Sequence, residues 1–288
     1  MRRLTRILVA AGAAATLGMA VASAGQAGGP PSLAWSPSTS GSFDYGVVAV
    51  GHDSSQTFTL TNSGGSASSK LTVTLSGSAS FTITANTCKS LGPGKSCTVT
   101  VSYAPTASAG LETATLSANG NKDSASADLT LTGKGVLVFI ATGPNAPDLS
   151  PLNETPPHPT SSASGTATIT WDVAANTMTV DVQFSGLSTP DTASHIHCCV
   201  AAPGNAGVAT QVPFFAGFPI GVTSGTYSHT FDMLDPASYN PAFVTANGGT
   251  AASAEAALLA GSEAGHAYLN IHSMMFPGGE IRGFLQQS

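Results

Sequence analysis

Apolar and hydroxyl-bearing residues alternate along most of this chain with a period of two, and this pattern constrains the fold more than any other feature. It occurs in both halves, for example at 56–61, 98–103, 167–171 and 178–184. Because successive side chains of a strand point to opposite faces, such alternation is typical of strands with one buried face. Charged residues make up only 8% of the chain, too few for coiled coils or long solvated helices. We therefore predict an all-β protein with two β-sandwich or barrel domains.

One short helix is expected within this pattern. The alanine-rich run Ala251–Ala260 is preceded by Thr250 and followed by Gly261. Threonine is a favourable N-cap because its hydroxyl accepts hydrogen bonds from free backbone N–H groups, and glycine commonly follows the last helical turn. The sequence therefore predicts a helix over this run, in the second domain.

The N-terminus has the pattern of an export signal. Arg2, Arg3 and Arg6 precede a run of small apolar residues from Ile7 to Val21, and Ala22-Ser23-Ala24 supplies a small-x-small cleavage site. We expect residues 1–24 to be a cleaved signal peptide and the mature chain to be periplasmic, cell-surface or secreted, with no membrane span. The composition, rich in alanine, glycine and threonine, favours a bacterial source.

The charge balance narrows the class of partner. Beyond the signal, six basic residues stand against fifteen acidic ones, and residues 136–288 hold Arg282 as their one basic residue against ten acids. Nucleic acid and anionic membrane surfaces are bound by clustered cations, which this chain lacks. The expected partner is an extracellular or periplasmic protein or glycan, not nucleic acid.

Four cysteines in an exported chain indicate disulfide bonds first. Cys88 and Cys97 flank a turn-rich loop between two strand-like runs, and we predict a disulfide between them. Cys198 and Cys199 are adjacent in sequence. For this second pair a vicinal disulfide, two free thiols and soft metal ligation remain open alternatives.

Residues 31–135 contain an ordered series of motifs. Phe43-x-x-Gly46-x-Val48-x-Val50-Gly51 is followed by Thr59-Leu60-Thr61-Asn62-x-Gly64, by the two cysteines, and by Tyr103-x-Pro105. The series resembles the immunoglobulin-like domains of the hydin and abnormal-spindle group, which in bacteria are often labelled choice-of-anchor D domains. The resemblance implies a sandwich of about seven strands that serves as an adhesion or spacer module without activity.

A second set of motifs lies in residues 136–288. These are Leu152-Asn153-Glu154-x-Pro156-Pro157, Ser164-Gly165-Thr166-Ala167, Ala193-Ser194-His195-Ile196-His197, Tyr268-Leu269-Asn270-Ile271-His272 and Phe276-Pro277-Gly278-Gly279-Glu280-Ile281-Arg282-Gly283. Together they resemble a CHRD domain, the repeated module first named from chordin. The resemblance implies an exported β domain and no settled biochemistry.

The histidines suggest the one site with chemistry. Six of the seven lie after residue 135, and His195 and His197 are two apart on a predicted strand, so their rings project from one face with Ile196 buried on the other. Two imidazoles so placed can chelate copper or zinc when a third ligand comes from a neighbouring strand. We predict His272 as that ligand, with His266, His229 and Glu280 as further candidates.

Two interpretations of these histidines remain open. The first is the metal site, for which Cu/Zn superoxide dismutase offers a geometric parallel because it also uses a His-x-His strand, although this chain has no zinc-loop pattern. Alternatively, neutral His195 and His197 form a structural cluster by hydrogen bonding to carbonyls, Asn270 or Glu280.

No catalytic motif is present, and we predict no catalytic residue. Glu280 and Arg282 lie two apart on one strand and are predicted to form a structural ion pair. The predicted function is therefore a non-enzymatic binding or structural module. The first alternative is a copper or zinc protein for metal storage or a dismutase-like redox role, and the second is a carbohydrate or matrix binder.

Overall fold

A computed structural model describes residues 28–123 and 125–288. The predicted signal peptide, residues 1–24, lies outside the described residues. The prediction of two β-rich domains is confirmed, and the sheets are open rather than closed into barrels. No helix within the described ranges is both long and apolar enough to cross a membrane.

The first unit contains seven strands and the start of an eighth. They are β1 (Leu33–Ser36), β2 (Ser42–Ala49), β3 (Ser54–Asn62), β4 (Leu71–Gly77), β5 (Phe81–Asn86), β6 (Ser96–Tyr103), β7 (Gly110–Gly120) and β8 (Ser126–Thr142). One sheet has the order β1-β3-β6-β5, and in the other β7 pairs with β4 and β8 while β2 runs parallel to β8. Their alternating apolar residues meet in one core, with Phe58, Leu116 and Leu131 fully buried.

The second unit continues the chain without a break in strand β8. It adds β9 (Ser164–Asp172), β10 (Thr177–Ser185), β11 (Asp191–Cys198), β12 (Gly207–Val208), β13 (Gly225–Asp232), β14 (Tyr268–Ser273) and β15 (Ile281–Gln287). The sheet order is β12-β11-β14-β15-β8-β9-β10-β13. Its core is separate from the first and is centred on Trp171, Phe139 and Ile196.

Strand β8 belongs to both units. Its first part, up to Val136, pairs with β7 and β2, whereas its last part, from Leu137 onward, pairs with β9 and β15. The predicted boundary between the two domains, at residues 135 and 136, therefore lies inside a strand. An ion pair between Lys134 and Asp172 adds a side-chain contact across it.

The described residues contain two α-helices, where the sequence predicts one. The predicted helix is real and Thr250 is its N-cap, but it runs over Ala251–Glu263 as α2 and passes through Gly261 instead of ending there. A Cβ atom on Gly261 would lie 2.3 Å from Sγ of Cys198 and 2.7 Å from Sγ of Cys199. This glycine therefore provides close packing against the cysteine pair. The missed helix, α1 (Pro241–Ala246), begins after an Asn240 N-cap.

Both cysteine pairs are bonded. Cys88 joins Cys97 beside β6, and Cys198 joins Cys199 at the end of β11. Of the alternatives open for the second pair, the structure has the vicinal disulfide, which leaves no thiol among the described residues for metal ligation.

Candidate metal centre

Strand β11 presents two imidazoles on one face. His195 and His197 are both buried, and Ile196 between them points into the hydrophobic core, fully buried. The alternation of the strand thus separates a polar face from an apolar one, as its sequence predicts.

The neighbouring strand β14 brings the third imidazole to the same face. It pairs antiparallel with β11, so that His272 is opposite Ala193 and Asn270 is opposite His195. Residues opposite each other in a ladder project from the same face. The ring of His272 consequently lies 5.4 Å from that of His195 and 5.9 Å from that of His197, centroid to centroid.

One nitrogen of each ring is held by a backbone carbonyl. A carbonyl oxygen can only accept, so the bonded nitrogen carries the hydrogen and the other nitrogen carries a lone pair. Such bonds fix the tautomer and the orientation of histidines that bind metals. The three bonds join His195 Nε2 to the oxygen of Pro213 (2.7 Å), His197 Nδ1 to that of Ala206 (2.9 Å) and His272 Nδ1 to that of Pro277 (2.9 Å).

The remaining nitrogens converge without protein partners. His195 Nδ1, His197 Nε2 and His272 Nε2 are buried and make no hydrogen bond within the described part of the chain. The three residues each offer one ligating nitrogen, and these lie within 4.8 Å of one another. Buried lone pairs without donors are rare in native proteins, and here three of them lie together.

Burial also keeps these rings neutral. It lowers the pKa of His195 to about 4, with a contribution from the neighbouring His272, and it lowers the pKa of His197 to about 4. The pKa of His272 is lowered by burial as well, in spite of its bond to Pro277. Neutral imidazole is the form that binds a metal ion, so the site is competent at neutral pH.

Aromatic and cationic groups pack behind the cluster. The ring of Tyr268, on β14, stacks on that of His197 with centroids 4.8 Å apart. The guanidinium of Arg282, on the neighbouring strand β15, lies 4.8 Å from the centroid of the Tyr268 ring. The Tyr268 hydroxyl accepts from the N–H of Ala206, whose carbonyl holds His197. This packing fixes His197 from two sides.

The predicted ion pair between Glu280 and Arg282 is wrong. Arg282 lies 3.7 Å from the carboxylate of Glu154, and it donates to the carbonyl of Asn153 and to Oδ1 of Asn205 (2.7 Å). The guanidinium is buried and needs several acceptors at once, and loops provide them. Burial raises the pKa of Glu154 to about 8, although Arg282 and the amide of Asn270 act to lower it.

Glu280 has different partners. Its Oε1 accepts from the hydroxyl of Ser161 (2.7 Å) and from both the hydroxyl and the N–H of Ser188. Burial raises the pKa of Glu280, but the hydrogen bonds from the serines outweigh this effect, so that its pKa is lower than its ordinary value. The structural-cluster hypothesis predicts bonds from the histidine rings to backbone carbonyls, Asn270 or Glu280. The carbonyl bonds are present, but neither Asn270 nor Glu280 bonds a histidine ring within the described residues.

Two further predicted ligands, His266 and His229, do not belong to the group of ligating atoms either. His229 is exposed on β13, where its ring packs edge-on against Phe231 at 4.6 Å. Sequence reasoning missed the carbonyls of Pro213, Ala206 and Pro277, for which the sequence carries no signal. It also missed the role of Glu154, although the motif that contains this residue was recognised.

Two family models match successive parts of this chain. Residues 146–285 match the family model of the CHRD domain. Residues 37–136 match the model described as Cep192 domain 4, an immunoglobulin-like type, in the predicted order. Both families are non-catalytic β-domain modules with binding or structural roles. No curated protein matches the chain significantly.

Solved structures share only partial folds with this chain. The VesB protease of Vibrio cholerae is 22% identical with a TM-score of 0.28, over 32% of this chain and 30% of that one. The secreted serine protease VesC of the same organism is 15% identical with a TM-score of 0.29, over 85% and 48%. A Porphyromonas gingivalis protein of unknown function is 14% identical with a TM-score of 0.30, over 38% and 50%. The chain thus spans half or less of each, and such low scores support no argument about activity.

Proposed function

We propose that this protein is an exported, non-enzymatic binding module that holds copper or zinc through His195, His197 and His272. One observation carries the proposal: three histidines whose ring nitrogens lie within 4.8 Å of one another each have one buried ring nitrogen without a hydrogen-bond partner. Three imidazoles suit zinc and copper and leave a fourth position open for water or a partner's ligand. Export is supported by the basic, apolar and small-x-small sequence of residues 1–24 and by the two cysteine pairs.

The competing role, a purely structural histidine cluster, fits these contacts less well. In such a cluster the lone pairs would accept hydrogen bonds, because an unsatisfied buried acceptor costs about 1–3 kcal/mol. A metal ion satisfies all three at once. The first unit, of the proposed choice-of-anchor D type, would act as a spacer for the metal-binding unit.

The test is metal content of the full chain after dialysis against zinc or copper and removal of loose ions. We expect near-stoichiometric metal in the wild type and a loss of affinity of more than about 100-fold in His195→Ala/His197→Ala and in His272→Ala. His229→Ala is the matched control, because it removes an exposed histidine outside the group. Circular dichroism verifies that each variant is folded. A folded double variant that retains wild-type metal content would overturn the proposal.

A further inference from the structure

The loop between β14 and β15 exposes two adjacent methionines. Met274 is 68% exposed and Met275 is 58% exposed, whereas the other described methionines, Met178 and Met233, are 1% and 0% exposed in the core. Methionine in a soluble protein ordinarily fills gaps in the core. Core packing therefore explains the presence of Met178 and Met233 but not that of Met274 and Met275.

The backbone beneath this exposed pair is well ordered by hydrogen bonds. The N–H of Met274 donates to the carbonyl of Pro190 (3.1 Å), and that of Met275 donates to the hydroxyl of Thr189 (2.8 Å). The loop also closes on itself, since the N–H groups of Ser273 and Gly279 both donate to the carbonyl of Phe276. Two thioethers are thus displayed on a fixed loop.

The same loop holds one edge of the three-histidine centre. Its Pro277 carbonyl accepts from His272, the least buried of the three histidines. Met274 follows His272 by two residues, and two residues of chain separate Cα atoms by at most about 7 Å. The exposed methionines therefore follow closely along the chain after His272, the most accessible ligand of the centre.

We infer that Met274 and Met275 form a surface site that captures cuprous ion and passes it to the imidazoles of His195, His197 and His272. Thioether sulfur is a soft ligand that selects Cu(I) and binds zinc poorly. In the transfer, copper–sulfur bonds break as copper–nitrogen bonds form. The copper stays in the +1 state, and neutral imidazole releases no proton. The inference rests on the proposed function and names copper as its metal.

The experiment measures how fast the full chain takes Cu(I) from the coloured bicinchoninate complex in the absence of oxygen. In Met274→Leu/Met275→Leu the apolar volume is retained and the sulfurs are lost. We expect the rate to fall on the order of tenfold, while the final copper content and the affinity for Co(II) stay at wild-type values. The control is Met178→Leu/Met233→Leu, which makes the same change in the core and should match the wild-type rate.

Each result separates the two claims. An unchanged rate in the Met274→Leu/Met275→Leu variant, with Co(II) binding intact, overturns the capture site and leaves the proposed function standing. An equal slowing in the core control also overturns it. A wild-type chain that binds neither Co(II) nor copper overturns the proposed function and the capture site together.

Discussion

The two units differ in how completely their buried polar side-chain atoms are hydrogen-bonded. In the first, Oδ1 of the fully buried Asn62 accepts from the N–H groups of Ser32 and Gly64, and Nδ2 donates to the carbonyls of Ser66 and Leu91. Every partnerless buried side-chain atom within 28–123 and 125–288 belongs to the second unit. Polar groups buried for architecture are satisfied by the fold itself. A set of unsatisfied groups that face one another instead indicates a site for something the chain does not contain.

Among single substitutions, the largest effect on stability is expected at Asn62. Asn62→Ala removes four hydrogen bonds and leaves buried backbone groups unpaired, so the free energy of unfolding should fall by about 3–4 kcal/mol, with no change in metal content. Urea denaturation measures it. The control is Asn121→Ala, whose side chain has one exposed bond to Thr72 and should cost less than about 0.5 kcal/mol. A small loss at Asn62 would mean that water replaces the amide, which would weaken the contrast between the units.

Acid should destabilise the metal-free second unit. Unfolded histidines take up protons near pH 6.5, but burial holds the pKa of His195 and of His197 at about 4 in the folded protein. The unfolded state therefore binds more protons within this window. Stability should be highest above pH 6.5 and should fall as pH decreases to 4, by about 3 kcal/mol for each of the two histidines. Urea denaturation with a chelator across this range measures the slope, and His195→Ala/His197→Ala should flatten it. If the free energy of unfolding of that variant has the same pH dependence as the wild type, groups other than His195 and His197 are responsible for it.

The smallest effect is expected for His272→Gln without metal. This substitution removes a ring with one unsatisfied nitrogen and one bond to the Pro277 carbonyl, so the free energy of unfolding should change by no more than about 1 kcal/mol. Urea denaturation of the chelator-treated variant and of Asn62→Ala under the same conditions compares their free energies of unfolding. A loss as large as that of Asn62→Ala would identify the histidines as architecture and favour the structural cluster over a metal site.

Strand periodicity made much of this arrangement predictable. The spacing of His195 and His197 puts both rings on one face, and the motif containing His272 has the same strand pattern. The β class and the start of α2 follow from equally local signals. The end of α2 does not, because Gly261 is set by the sulfurs that pack against it from another segment.

The contacts that the sequence could not predict are long-range ones. Arg282 and Glu280 share a strand face, yet Arg282 meets Glu154, and Glu280 meets Ser161 and Ser188. Each of these partners lies on a loop or turn whose path depends on the whole fold. The carbonyl hydrogen bonds that orient the histidines have the same origin, since backbone groups carry no residue signature. The α1 helix, in contrast, was signalled by Asn240 before Pro241 and was overlooked.

Strand β8 gives the chain a mechanical property that a flexible linker would lack. Its hydrogen-bonding partners change between Val136 and Leu137 with no loop residue between the two sets. A force along the chain therefore passes from one sheet to the other through a single covalent strand. Bending at this point must first break ladder hydrogen bonds on either side. The connection therefore resists rotation of one unit relative to the other, unlike a flexible hinge. A cut at residue 135 would divide a strand that lies in the interior of both sheets.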